Sequence, residues 1–259
     1  MENISNKAII NKNAQLGKNV RVFPNAIIDE DVIIGDNTII NSNAIIRPGA
    51  RIGNNCEIYP GAIISEVNQD LKYNGEKTYT FIGDNTTIRE YATIHRGTMH
   101  REKTVIGSNC LIMAYVHIAH DCILGDNVII SNLTQVAGHV IIEYHATISG
   151  MVAIHQFSKI GTHSFIGGGW KIGKDVPPYI LAAGEPIQFK GLNVVGLRRR
   201  GFTNKKISEI KEIYTVIFRS KYNIKDAIKY IEDNFPKTKE SSNIVEFIKN
   251  SDRGILSIK

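Results

Sequence analysis

The chain has 259 residues, with 31 Lys/Arg against 25 Asp/Glu (net +6) and three cysteines. No apolar run is long enough to cross a bilayer, and the opening MENISNKAII lacks the pattern of a secretory signal, so neither a membrane span nor export is expected. Cys56, Cys110 and Cys122 show no spacing pattern, which argues against a disulfide framework and for a reducing cytoplasm.

From Leu16 to Ile172 an aliphatic residue returns at every sixth position. Of the 27 such positions 24 are Ile, Leu or Val, and only Asp70, Glu76 and His100 depart. Neither a helix nor a simple alternating strand has this period; a hexapeptide repeat predicts a parallel β-helix. Gly often follows the aliphatic residue, as in Ile34-Gly35 and Ile52-Gly53, and a small residue often stands two positions before it, as Ala26, Ala44 and Ala62 do. Three hexads make one triangular coil of about 18 residues, and stacked coils bury the aliphatic column at roughly 1.5–3 kcal/mol per side chain. The left hand of the coil is that of the hexapeptide class, against the usual right-handed crossover.

Two stretches break the rhythm, about 65–81 (SEVNQDLKYNGEKTYTF) and about 95–104 (HRGTMHREKT). Both read as loops leaving the prism, where function tends to sit. The rhythm ends near Ile172, and Asp175-Val176-Pro177-Pro178-Tyr179 is expected neither to continue a coil nor to start a helix. After Gly201 the spacing turns helical: Thr203 as cap, then Ile207, Ile210, Tyr214, Ile217 and Phe218. Further helices are expected over 224–233, capped by Asn223, and over 242–250. The fold class is therefore mainly β: a left-handed parallel β-helix over 1–187 with a small C-terminal α-helical domain over 188–259.

Charge is uneven. Residues 189–259 hold 16 Lys/Arg and 8 Asp/Glu, net +8, and the remainder 15 and 17, net −2. A basic helical segment suits an acidic partner, and equally a well-solvated surface. No nucleic-acid motif or basic–aromatic pattern is present, so nucleic acid is not an expected partner.

All eight histidines fall between 95 and 163. One coil above His120 stands Gly138, and two coils above it stands Gln156; His139 and His155 are one residue from that column, and His117 shares the first coil. The repeat thus predicts His117, His120, His139 and His155 along one edge. Three readings stand: solvated corners, a zinc site as in γ-class carbonic anhydrases, or acid–base chemistry by imidazole near its ordinary pKa of about 6.5.

VHIAHDC (116–122), VAGHV (136–140), AIHQF (153–157), DVPPY (175–179), EVNQDLKY (66–73), TIHRGT (93–98) and GLRRRGF (196–202) together resemble the acyl-carrier-protein-dependent UDP-N-acetylglucosamine O-acyltransferases. The resemblance covers essentially the whole chain. It implies transfer of an (R)-3-hydroxyacyl group from acyl carrier protein to the glucosamine 3-hydroxyl, the first step of lipid A synthesis, with no cofactor and no metal. It also implies a homotrimer with sites between subunits.

By motif match, His120 is the general base, Asp121 its orienting partner and Gly138 an oxyanion donor through its N–H. Asp70 and Lys72 contact sugar and acyl chain; His117, His139, His155 and Gln156 hold the sugar and phosphates; Asn193, Arg199 and Arg200 bind the UDP portion. Asp121 follows His120 directly, so on a flat strand the two would point apart; their contact requires a corner or a neighbouring subunit. Gly168 stands at the position that closes the acyl pocket, and glycine there implies a long chain unless Trp170 shortens it. Several relatives of this kind carry a carboxylate two residues after the Asn; Val195 stands there, and that nucleotide contact is missing. The alternatives are a coenzyme A-dependent acetyltransferase, a zinc lyase and a non-catalytic binding module. An amino-sugar acceptor in place of the hydroxyl also stays open.

Overall fold

The computed structural model describes residues 3–257. Short parallel strands, most of two residues, stack into three sheets of nine, eight and ten strands. The first sheet runs from Ile9–Ile10 to Lys171–Ile172, the second from Gln15–Leu16 to Lys159–Ile160, and the third from Arg21–Val22 to Gln188–Leu192. The chain visits first, second and third faces in turn. The edge between the first and second faces therefore lies across the prism from the third face.

Every hexad does the same two jobs. Its aliphatic residue points inward, and Ile40, Ile46, Ile58, Ile88, Ile112 and Ile130 are fully buried. The residue two positions earlier also points inward and has room only for something small: Ala26, Val32, Thr38, Ala62, Thr104, Val116. All three cysteines occupy this second inward position, so they follow the repeat after all: Cys56, Cys110 and Cys122 precede Ile58, Ile112 and Leu124 by two. They are free, buried packing groups, and burial raises the Cys110 and Cys122 thiols to about 11 and about 12.

Three positions after the aliphatic residue the backbone turns the corner in the left-handed region. The non-glycine residues there have φ between +53° and +66°. Asn tolerates this conformation, and it fills the position at Asn19, Asn25, Asn37, Asn43 and Asn55. Asp121, Leu133, His139, His145, Met151, Phe157 and His163 hold the same position in later coils. Bulky residues here cost of order 1–3 kcal/mol each, a pattern associated with functional sites.

The two rhythm breaks are loops, shorter than expected: residues 67–78 and 96–102. Ile63–Glu66, Tyr79–Ile82 and Lys103–Ile106 are four-residue strands because adjacent coils extend the ladder there, as in Tyr79↔Lys103. Ile64 and Ile82 are consecutive inward residues, as are Ile94 and Ile106. Both insertions are multiples of six residues, so the count keeps its phase while Asp70, Glu76 and His100 lie in the loops. Both leave the edge between the first and second faces.

The expectation that Asp175–Tyr179 would not continue a coil is corrected. Val176 bridges Ile160 in parallel, and Ile180–Ala183 pairs with Phe165–Ile166 to complete one more turn. Pro177 and Pro178 sit at a corner, and the Gly161 N–H donates to the Val176 carbonyl, so the missing proline N–H groups cost no ladder bond. Gln188–Leu192 then folds back antiparallel onto Ile180–Ala183.

Four helices follow: α1 (Val194–Arg199), α2 (Asn204–Arg219), α3 (Ile224–Asn234) and α4 (Lys239–Lys249). Thr203 and Asn223 cap α2 and α3 as expected. Helix α4 begins three residues before the expected 242, because Thr238 and Ser241 form a reciprocal capping box. Helix α1 was not foreseen; Val194-Val195-Gly196 is a poor helix former, and the turn depends on the Asn193 cap. The helices are anchored on the last coil by Tyr214 Oη donating to the Pro178 carbonyl (2.6 Å) and Ser251 Oγ donating to Asp175 Oδ2 (2.6 Å). No helix among the described residues is long and apolar enough to cross a membrane.

Candidate active site

One prism edge gathers most of the expected residues. His120-Asp121, Gly138-His139 and His155-Gln156-Phe157 are three successive corners between the first and second faces, and the two loops leave the same edge one and two coils before the His120 corner. The left-handed backbone at Asp121 (φ +59°) lets neighbouring side chains meet within one chain: His120 Nδ1 lies 2.8 Å from Asp121 Oδ2.

Asp121 is fully buried and saturated with donors. Its Oδ1 accepts from the N–H groups of Thr98 (3.0 Å) and Arg101 (3.2 Å). Its Oδ2 accepts from the Thr98 hydroxyl (2.6 Å) as well as from His120. Burial opposes ionisation, but the hydrogen bonds from His120 and Thr98 win and hold the carboxyl below its usual range. An ionised Asp121 fixes the proton of His120 on Nδ1 and leaves the Nε2 lone pair free.

That nitrogen faces Gly138. A Cβ built there would stand 2.6 Å from His120 Cε1 and 2.7 Å from Nε2, so only glycine leaves room for the imidazole. The Gly138 N–H has no acceptor among the described residues, as an oxyanion donor requires. His139 packs edge-on to His120 (5.0 Å between centroids) and flat on Phe157 (4.4 Å). Its Nδ1 is buried without a partner, and burial lowers its basicity against the pull of Asp121.

His117 points from the first face, bonded to Thr93 Oγ1 (2.8 Å) and edge-on to His95 (4.8 Å). Burial and then His120 lower its pKa. His155 shares the edge but is exposed and bonds the Gln156 carbonyl (2.9 Å), making no ring contact with the other histidines. Gln156 is exposed beside it. Asp70 caps its own loop by accepting from the Lys72 N–H (2.9 Å), and Lys72 is exposed. The two loops touch where Asn68 Nδ2 donates to the Gly97 carbonyl (3.0 Å). Thr98, Arg101, His100 and Phe157 had no role in the sequence reading. A bulky residue at a corner usually held by Asn was the available signal for Phe157; for the loop residues there was none.

The remaining residues lie elsewhere. Asn193, Arg199 and Arg200 line a cavity of about 560 Å³ against Ile129, Thr147 and Phe165 of the third face. Arg200 Nη1 is buried without a hydrogen-bond partner among the described residues, and burial lowers its pKa. Asn193 caps α1 and donates to the His163 carbonyl (3.0 Å). Gly168 sits on the edge between third and first faces. A Cβ there would lie 2.9 Å from the Gly150 carbonyl oxygen, so close approach to the coil below already requires glycine.

His120, Asp121 and His139 place possible metal-ligand atoms within 4.8 Å of one another. The carboxylate is, however, already occupied by four hydrogen-bond donors, an arrangement that orients an imidazole rather than holds a cation.

His95 and His163 are buried and held neutral. Burial and then His117 bring His95 down to about 4; burial, then His145 and Arg200, bring His163 to about 3. The unfolded chain takes up these protons near pH 6.5 and the folded chain refuses them. Stability is therefore complete well above pH 6.5 and is expected to fall from pH 6.5 down to about 4 for His95 and about 3 for His163, by up to about 1.4 kcal/mol per pH unit for each histidine. Thermal melts across this range check it, and His163→Phe, which preserves the flat stack on His145 and Tyr179, should flatten the slope.

A triangular prism of hexapeptide coils is the fold of the hexapeptide class of bacterial transferases, whose six-repeat family model matches residues 13–47, 31–66 and 103–138. Residues 175–256 match the second-domain model of UDP-N-acetylglucosamine O-acyltransferase. The acyl-[acyl-carrier-protein]–UDP-N-acetylglucosamine O-acyltransferases of Sulfurihydrogenibium sp. (48% identity; 98% of this chain, 94% of the relative) and Chlorobaculum parvum (49%; 98% and 97%) are similar throughout. A solved UDP-N-acetylglucosamine acyltransferase from Bacteroides fragilis superposes with a TM-score of 0.96 at 46% identity, covering 97% of this chain and 99% of that one. The chain belongs to the acyl-[acyl-carrier-protein]–UDP-N-acetylglucosamine O-acyltransferase family and has its left-handed β-helix. Membership sets the zinc lyase and binding-module readings aside.

Proposed function

We propose that this chain moves an (R)-3-hydroxyacyl group from acyl carrier protein to the 3-hydroxyl of UDP-N-acetylglucosamine, the first step of lipid A synthesis, with His120 as general base. The observation that carries this is the His120–Asp121 hydrogen bond, which leaves Nε2 free against Gly138, whose N–H has no acceptor among the described residues. His120 Nε2 removes the hydroxyl proton as the oxygen attacks the thioester carbonyl carbon. The Gly138 N–H stabilises the tetrahedral oxyanion; collapse breaks the C–S bond, and the imidazolium returns its proton to the departing thiolate. His117, His139, His155, Gln156, Asp70 and Lys72 hold sugar and acyl chain along the same edge. Asn193, Arg199 and Arg200 hold the nucleotide, and Gly168 leaves space for a long acyl chain.

The site is shared between copies in a homotrimer. The nucleotide residues lie on the third face and His120 on the opposite edge, so one chain alone does not unite them. Tyr91, Tyr115, Leu133 and Met151 form an exposed apolar column on the edge between third and first faces, suited to burial against another copy. Residues 1–187 form the transfer body, and the basic segment 188–259 receives the acidic carrier protein in the cytoplasm.

The test supplies UDP-N-acetylglucosamine with 3-hydroxyacyl carrier proteins of several lengths, alongside acyl-coenzyme A and the amino-sugar analogue, and measures mass by light scattering. Ester product from the carrier-protein donor and the mass of three chains are expected. Product from coenzyme A alone, or none, sinks the reading.

A further inference from the structure

We infer that Thr98 is a positioning residue for the transfer reaction, completing a Thr98–Asp121–His120 relay in which the second loop sets the orientation of the catalytic imidazole. The inference rests on the reading of His120 as general base. Its support is the geometry around one buried carboxylate. The Thr98 hydroxyl and the His120 imidazole converge on the same oxygen, Asp121 Oδ2, at 2.6 and 2.8 Å. The Thr98 N–H holds the other oxygen at 3.0 Å, so a single loop residue grips both ends of the carboxylate and fixes its plane.

The rest of the loop locks that grip. Arg101 adds its N–H to Oδ1 (3.2 Å) and a guanidinium bond to the Asp121 carbonyl (2.7 Å). The Glu102 N–H donates to the Thr98 carbonyl (2.7 Å), closing the loop as a tight turn. Below the carboxylate, the Asp121 N–H donates to Thr104 Oγ1 (2.9 Å). The charged groups facing Asp121 are thus Arg101 from the loop and His120 and His139 from the corners, the last at 3.8 Å and beyond hydrogen-bond reach. Without the Thr98 hydroxyl, Oδ2 has one fixed donor fewer, the carboxylate rotates more freely, and its full charge is left to the imidazole. A proton on His120 is then held more tightly.

The experiment compares wild type with Thr98→Val, which keeps the volume and the N–H but loses the hydroxyl, and Thr98→Ser, which restores it; His120→Ala is run alongside. Thr98→Val is expected to lower kcat about 10-fold with KM for both substrates unchanged, and to move the acid limb of the kcat/KM profile to higher pH. Thr98→Ser is expected to restore both. A purely structural loop anchor would instead lower the melting temperature and change KM, leaving the acid limb in place, and that result overturns the inference. An unchanged Thr98→Val enzyme beside an inactive His120→Ala also overturns it while sparing the base assignment. An active His120→Ala overturns the base assignment itself.

Discussion

Replacing His120 by alanine is expected to lower kcat by on the order of 10²–10⁴-fold while KM for UDP-N-acetylglucosamine changes little. A sugar hydroxyl is a weak nucleophile and needs its proton removed as it attacks. His120 is the imidazole here with one nitrogen tied to a buried carboxylate and the other free. His139, its neighbour at 5.0 Å, is an unsuitable substitute. Burial depresses its basicity, its nearer nitrogen is 3.8 Å from Asp121, and its ring is stacked on Phe157. Steady-state kinetics with the carrier-protein donor check the expectation. A variant retaining more than about a tenth of wild-type kcat would move the base to another group. With the amino-sugar acceptor the loss should be smaller, because an amine attacks with less help.

Gly138→Ala is expected to be comparably damaging, by a steric route. The new methyl would sit 2.6 Å from His120 Cε1, and the clash is with a ring pinned by Asp121 rather than with the end of a flexible side chain. Either the imidazole leaves its hydrogen bond or the two coils move apart, and the adjacent ladder of Ile118 on Val136 resists the second. A loss of about 10²–10³-fold in kcat with an intact fold by circular dichroism is expected, the range typical for losing an oxyanion donor or its alignment. A double variant separates the two possible roles. If Gly138→Ala acts only by displacing His120, adding it to His120→Ala costs nothing more. A further loss shows that the methyl also does damage without the His120 ring, by displacing the Gly138 backbone, whose N–H alanine retains, or by occupying substrate space.

The sequence reached a long way because a solenoid has almost no long-range ambiguity. Each inward Ile packs on the residue one coil away, so the count of six fixed sheets, faces and register from Leu16 to Ile172 together. It also placed His120, Gly138 and Gln156 in one column by arithmetic alone, since that stretch holds no insertion. The same arithmetic was silent where the repeat stops. Helix α1 depends on a cap and on packing rather than on propensity, and Pro177-Pro178 looks like a terminator until the corner that accommodates it is seen.

At the candidate site the division is sharper. Sequence determined which residues share the edge; only the tertiary structure decided which of them touch. Asp121 meets His120 because a left-handed corner turns adjacent side chains to one side, a backbone choice that Asp permits but does not announce. Thr98 and Arg101 reach Asp121 because an inserted loop folds back over the coil above, and loop closure follows no period. His155 shares the edge yet turns to the Gln156 carbonyl, while Asn193, Arg199 and Arg200 lie across the prism on the third face. The repeat encodes position around and along the prism, one short-range contact at a time. Side-chain direction at a corner, and the path of a loop, depend on contacts between residues that the repeat does not relate.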